Sequence, residues 1–298
     1  EGRAEQGLAG DIDHQLRALL PALICVAAVS ATAAERHVEI GGMDVVVWSD
    51  DGTESGKQPI VIFSHGFHGC ATQSRFLTEA FAKAGYLVFA PNHRDATCNG
   101  GDASWLDKPD TSFKSPSAWS DATFRDRADD IRQLIAAAKA DPRWKDADWS
   151  HLALAGHSLG GYTVLGLAGA WPGWRIDGIK AVLALSPYSQ PFVVKHTLKG
   201  LSAPVMYQGG TLDFGITPTL HKSMGAYDLS PKPKYYVEFR GAGHFAWADA
   251  GFTAHDEIAS YSLAFLDHYV KGAPAPALTR TEDKVAVLRY ESELGSRR

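Results

Sequence analysis

The chain has 298 residues, 45% hydrophobic and 21% charged, with a net charge of −5. This is the composition of a soluble globular protein with room for one large α/β domain or two small ones, and it carries no basic footprint for nucleic acid. Three cysteines are too few for a disulfide scaffold or a cysteine-ligated zinc site of the usual spacing.

Residues 1–34 read as a leader rather than as fold. Arg17 precedes an apolar run from Ala18 to Val29, and Ala31-Thr32-Ala33 supplies a small-residue cleavage site, which is the order of a secretory signal peptide. The run is too short to span a bilayer. The expectation is a periplasmic or secreted protein with no stable membrane insertion. It would start near Ala34 or Glu35, with Cys25 removed.

From there the chain reads as a single domain over residues 35–298. His37–Trp48 alternates around Gly41-Gly42 as an opening β-hairpin. Pro59–Ser64 is a continuous apolar run, as expected of a strand covered on both faces. Phe76, Leu77, Ala80, Phe81 and Ala84 share one helical face closed by Gly85. Tyr86–Ala90 is the next buried strand. Asn99–Trp119 has no period and reads as a long connection at the strand ends, where α/β folds place their sites. A helix marked by Phe124, Ala128, Ile131, Leu134 and Ile135 follows. Strands then recur at Leu152–Ala155, Ile179–Leu185, Pro204–Gln208 and Tyr235–Phe239, before a last helix near His255–Val270. Val285–Leu288 is either a short edge strand or mobile. Strands alternating with helices predict an α/β fold with a mostly parallel sheet and helices on both faces.

The strand at Leu152–Ala155 runs into Gly156-His157-Ser158-Leu159-Gly160, the G-x-S-x-G pattern of a nucleophile elbow. A serine needs a base, and the base an orienting acid. In this topology they follow in the order serine, acid, histidine. Asp213 stands after the Pro204–Gln208 strand and a Gly209-Gly210 turn as the acid, with Asp228 as competitor in a polar stretch. His244 follows Tyr235–Phe239 on a glycine-rich turn as the base. The backbone N–H groups of Phe67 and Leu159 are the candidate oxyanion donors. His65 and His68 have no carboxylate or cysteine partner at ligand spacing, so no metal is expected, and His65 reads as a brace for its loop. Tyr188 and Trp247 either stack on an aromatic substrate or pack in the core. Trp105 and Trp119 would partly cover the site.

Gly156-His157-Ser158-Leu159-Gly160-Gly161, Ser64-His65-Gly66-Phe67, His93-Arg94-Asp95 and Gly243-His244-Phe245 together resemble the α/β-hydrolase fold. They are closest to its dienelactone hydrolase-like and platelet-activating-factor acetylhydrolase-like branch, with the cutinase-like bacterial polyester hydrolases as near neighbours. The resemblance covers roughly residues 45–272. Dienelactone hydrolases proper use a cysteine nucleophile, from which Ser158 departs. The resemblance implies carboxylic ester hydrolysis without metal or organic cofactor; the Trp105 and Trp119 loop and the rings of Tyr188 and Trp247 favour small or aromatic esters, with polyesters as the alternative substrate. A serine peptidase or a non-catalytic binding protein of the same fold stays open beside it.

Cys70 and Cys98 each lie just past the C-terminal end of a strand. Consecutive strands joined by one helix are commonly neighbours, so their loops meet at one sheet edge. In an oxidising compartment the two thiols would pair as a disulfide.

Overall fold

Two strands open the described residues. β1 (Ala33–Ile40) and β2 (Met43–Asp50) form an antiparallel hairpin around Gly41 and Gly42, both at positive φ. The computed structural model describes residues 33–50, 56–98 and 103–297. The leader residues 1–32 lie outside them. Ala33 and Ala34, read from sequence as the end of the leader, are the first residues of β1 and pair with Asp50 and Ser49.

The remaining strands are β3 (Gln58–Ser64), β4 (Leu87–Pro91), β5 (Ala147–His157), β6 (Ile179–Leu185), β7 (Val205–Gly210), β8 (Lys234–Phe239), β9 (Val285–Ser292) and β10 (Gly295–Arg297). They form one sheet in the order β1-β2-β4-β3-β5-β6-β7-β8-β9-β10. The stretch from β4 to β8 is parallel, and hairpins flank it on both sides. The helices are α1 (Arg75–Lys83), α2 (Arg125–Ala140), α3 (Leu159–Leu165), α4 (Gln190–Lys195), α5 (Thr217–His221), α6 (Ala226–Leu229) and α7 (His255–Lys271).

The two-residue period of each strand sorts its side chains between two cores. Ile60 and Ile62 of β3 and Leu154 of β5 meet α2 and α3 on one face, with Ile131, Leu134 and Leu165. Val61, Phe63 and Ala155 meet α1 and α7 on the other, with Leu77, Phe81, Ile258 and Phe265. Both faces are covered, which is why the central strands read as unbroken apolar runs.

Val285–Leu288 is a strand, as one of the two sequence readings has it, and part of a longer one. It lies in the eight-residue β9, which pairs antiparallel with β8, and β10 pairs only with the far end of β9, Tyr290–Ser292. Its mixed sequence, VAVLRYES, follows from that position near the rim, where Val285 and Leu288 are buried and the intervening residues are partly exposed.

β3 and β4 are parallel neighbours, so the loops that follow them meet. Cys70 and Cys98 are joined as a disulfide with a Cα–Cα distance of 6.0 Å across a sequence separation of 28. A loop of that size carries about 3–4 kcal/mol of chain-entropy stabilisation. Replacing both cysteines by serine is expected to lower the melting temperature by several degrees, and reduction should do the same to the parent protein. Melts that coincide with and without reductant would show that the bridge does not constrain the unfolded chain.

Candidate active site

The site begins where β5 stops. Ser158 follows its last residue at φ 56° and ψ −115°, and α3 starts directly after it. Such a conformation is costly for a residue with a side chain and persists only where its surroundings impose it. A hydrogen bond from Ser158 N–H to Leu185 O, at 3.0 Å, fixes the turn. Backbone packs against backbone on both flanks. A Cβ on Gly156 would run into the carbonyl of Gly160, and one on Gly160 into the carbonyl of Ser64. The two glycines are there because nothing larger fits.

The other two strand ends deliver the partners. His244 follows β8 after a turn through Gly241, and its Nε2 lies 2.9 Å from Ser158 Oγ. Its Nδ1 lies 3.1 Å from Oδ2 of Asp213, a buried carboxylate after β7 that is 4% exposed. The competing Asp228 is engaged elsewhere: it pairs with Arg289 at 2.9 Å and accepts the Met224 N–H. A fourth group joins this chain. Ser186, after β6, donates its hydroxyl to Asp213 Oδ2, and its Oγ is 2.9 Å from His244 Nδ1.

Phe67 follows β3 and faces the same cleft as Ser158. Among the described residues, no backbone carbonyl engages its N–H or that of Leu159, the first residue of α3. The N–H groups of a helix's first turn have no partner within the helix, which accounts for Leu159, while Phe67 lies in the loop after β3. The loop that carries Phe67 is heavily braced. Gly66 N–H is held by Gln73 Oε1 at 2.9 Å. His65 is buried, accepts the His93 N–H on Nε2 at 3.0 Å and bonds the Gly66 carbonyl through Nδ1. Burial, reinforced by the nearby Arg127 guanidinium, holds its imidazole well below the usual histidine range, so it stays neutral and acts as a brace. The fully buried Arg127 donates to the carbonyls of His65 and Gly66 and to both oxygens of Asp95. No metal-binding cluster of histidine, cysteine and carboxylate occurs among the described residues.

A second hydrogen-bonded chain runs beneath the cleft. Gln73 Nε2 donates to His157 Nδ1 at 2.9 Å, and His157 Nε2 donates to the His244 carbonyl at 2.8 Å. Burial, with the neighbouring His244, pushes the His157 imidazole down to about 3. It is therefore neutral at any pH near 7, and the direction of this chain is set.

The cleft above these groups has a volume of about 960 Å³, and its outer wall carries Phe214, Phe245, Trp105 and Leu212, all exposed. Tyr188 lines it too, but the ring is 4% exposed and its hydroxyl is tied to the Phe113 carbonyl at 2.7 Å. Trp247 does not reach the cleft. It is fully buried with its indole N–H on Gln208 Oε1 at 2.8 Å, and it packs near His157. An indole whose only polar atom is satisfied inside the core has no reason to face solvent. Trp119 is likewise buried, against Tyr162 and Tyr188, so Trp105 and Phe113 are the aromatic residues by which this connection borders the cleft. Ser186, Gln73, Phe214 and Phe245 escaped the sequence reading. The two phenylalanines each sit one residue after Asp213 or His244, and that adjacency is the signal that would have found them.

Residues 46–274 match the family described as PETase, PET hydrolase-like. Cutinase est2 of Thermobifida alba is 28% identical over 219 residues, 73% of this chain and 61% of its own length. Cutinase est1 of the same organism is 27% identical over 73% of this chain and 62% of its own. Cutinase 2 of Thermobifida cellulosilytica is 27% identical over 73% of this chain and 70% of its own. The matched stretch thus spans about three fifths of the two T. alba proteins.

Proposed function

Because the chain belongs to the PET hydrolase-like family of α/β-hydrolases, we propose that it hydrolyses carboxylic esters through Ser158, His244 and Asp213. The observation that carries this reading is the unbroken hydrogen-bonded chain from Ser158 Oγ through the imidazole to the Asp213 carboxylate at the floor of an apolar cleft. With Asp213 as acceptor, the His244 proton sits on Nδ1 and Nε2 is the basic nitrogen. His244 takes the Ser158 proton as Oγ attacks the ester carbonyl, and Asp213 stabilises the imidazolium. The N–H groups of Phe67 and Leu159 receive the oxyanion. Collapse of the tetrahedral species expels the alcohol, which leaves with the proton from His244. Water, activated by the same imidazole, then cleaves the acyl-enzyme.

Small or aromatic esters suit the cleft, whose lining is largely apolar and whose rim offers ring faces at Phe214, Phe245 and Trp105. Polyesters are a second reading, favoured by the relatives named cutinases and by the exposure of those same rings. A p-nitrophenyl ester series of increasing acyl length, an aromatic diester and a polyester film separate them. Turnover confined to the soluble esters would reject the polymer reading, and no ester turnover at all would reject both. Since the chemistry is carried by side chains and backbone alone, EDTA is expected to leave activity unchanged. Loss in EDTA with recovery on adding a divalent metal would contradict the mechanism.

Export is part of the proposal. The apolar segment and small-residue stretch motivate it, and a chain that starts at Ala34 or Glu35 loses only the first one or two residue pairs between β1 and β2. N-terminal sequencing of material exported by a bacterial host tests this; retention of residues 1–30 would reject it.

A further inference from the structure

We infer that Ser186 is a positioning residue of the acid–base pair, a fourth member of the relay that holds Asp213 and the His244 ring in one arrangement. The inference rests on the proposed roles of Ser158, His244 and Asp213, and goes beyond them.

Three observations converge. Ser186 Oγ is within hydrogen-bond distance of both Asp213 Oδ2 and His244 Nδ1. An ionised carboxylate can only accept, so the single hydroxyl proton goes to Asp213, and the oxygen lone pairs face the Nδ1–H. That N–H is thereby shared between Asp213 Oδ2, at 3.1 Å, and Ser186 Oγ, at 2.9 Å. Among the described residues, Ser186 and His244 are the side chains that hydrogen-bond the Asp213 carboxylate. Without the hydroxyl, a buried carboxylate would be left with one partner.

The backbone points the same way. Ser186 is fully buried and sits at φ 41°, in the left-handed region that disfavours any residue with a Cβ. Its N–H is tied to Gln208 O at 2.8 Å on the neighbouring strand. Glycine would relax this position, so the presence of serine there argues for a task carried by its hydroxyl. The hydroxyl acts when the imidazole becomes charged. Two acceptors then share the Nδ1–H, and the carboxylate that balances the new charge cannot swing away.

That backbone feature supplies the test. Ser186→Ala removes the hydroxyl and keeps the strain, whereas Ser186→Gly removes the hydroxyl and relieves it. If the hydroxyl positions the relay, both variants lose roughly 10-fold or more in kcat with KM within about twofold. The Ser186→Gly protein does so without any fall in melting temperature. The rate at which a fluorophosphonate modifies Ser158 falls in parallel with kcat, while labelling still reaches one per chain. A folded Ser186→Gly protein with parental kcat and parental labelling rate overturns the inference. So does a loss confined to KM. Ser158→Ala, assayed alongside, keeps the two readings apart. If it retains activity, the relay itself is misassigned. If it is inactive while both Ser186 variants are fully active, only the role of Ser186 falls.

Discussion

Ser158→Ala is expected to reduce kcat for any ester substrate by roughly 10⁴-fold or more while leaving the fold intact. The residues of such a relay act as a unit, and removing the nucleophile leaves only the stabilisation that binding and the oxyanion donors can give to attack by water. The substitution itself is structurally mild. The Ser158 side chain hydrogen-bonds His244 and nothing else among the described residues, and alanine meets the same backbone demand at φ 56° that serine does. Melting temperature should therefore stay within a degree or two of the parent. A folded Ser158→Ala protein that keeps a tenth of the activity would end the nucleophile assignment. Asp213→Asn should be severe but less complete, because a neutral amide holds the imidazole in the wrong tautomer. An equal or larger loss in Asp228→Asn would transfer the acid role to that residue.

Arg127→Met carries the largest expected cost in stability, about 3–5 kcal/mol. The guanidinium is fully buried and holds Asp95 at 2.9 and 2.7 Å together with the carbonyls of His65 and Gly66. Methionine fills similar space but takes the countercharge and the guanidinium's hydrogen bonds from a largely buried region: Asp95 keeps the His68 N–H, the Gly66 carbonyl keeps the Gly69 N–H, and the His65 carbonyl loses the Arg127 donor. The effect has a pH signature. Burial alone would raise the Asp95 carboxyl, but the charge and hydrogen bonds of Arg127 outweigh it and hold the group well below the usual carboxylate range. A depressed folded-state value contributes stability above the unfolded value of about 4, and that contribution is lost as pH falls below it. In the variant the sign reverses. The unpaired carboxylate is penalised near neutral pH, and protonation relieves it on acidification. Denaturant melts at pH 7.5 and pH 5 should therefore show a gap between parent and variant that narrows at the lower pH. A constant gap, or one under about 1 kcal/mol, would mean that the ion pair with Asp95 does not carry the stability assigned to it.

How much of this could be read from sequence depends on how local each signal is. Positions 158, 213 and 244 were legible because each stands just past a buried apolar strand, and a parallel sheet brings such ends to one edge. The Cys70–Cys98 bridge was legible for the same reason, since adjacency of β3 and β4 follows from the short helical connection between them. Ser186 was not. A serine in Leu185-Ser186-Pro187 has no pattern of its own, and its partners come from two other strand ends. The tryptophans were ambiguous for a different reason. Trp119 and Trp247 look like rim residues because they lie in glycine-rich or polar stretches, yet both are buried, since a neighbouring carbonyl or amide satisfies the indole N–H. Sequence gives no sign of where that one donor will find its acceptor. β9 was underestimated because a strand near the sheet rim needs only one apolar residue in three or four to stay in place.

The chain of hydrogen bonds from Gly66 through Gln73 and His157 to the His244 carbonyl bears on how this site can change over evolutionary time or in the hands of an engineer. It joins the loop after β3 to the loop after β8, so His244 and the loop that carries Phe67 cannot drift apart independently. A substitution at any link displaces both. The rings of Phe214, Phe245 and Trp105 hang outside this chain, and no hydrogen bond ties their side chains to it. Selection for a bulkier or flatter ester therefore has a free hand at those three positions and almost none beneath them. Variants that broaden the substrate range should accumulate at the rim, while the Gly66–Gln73–His157–His244 floor stays as it is.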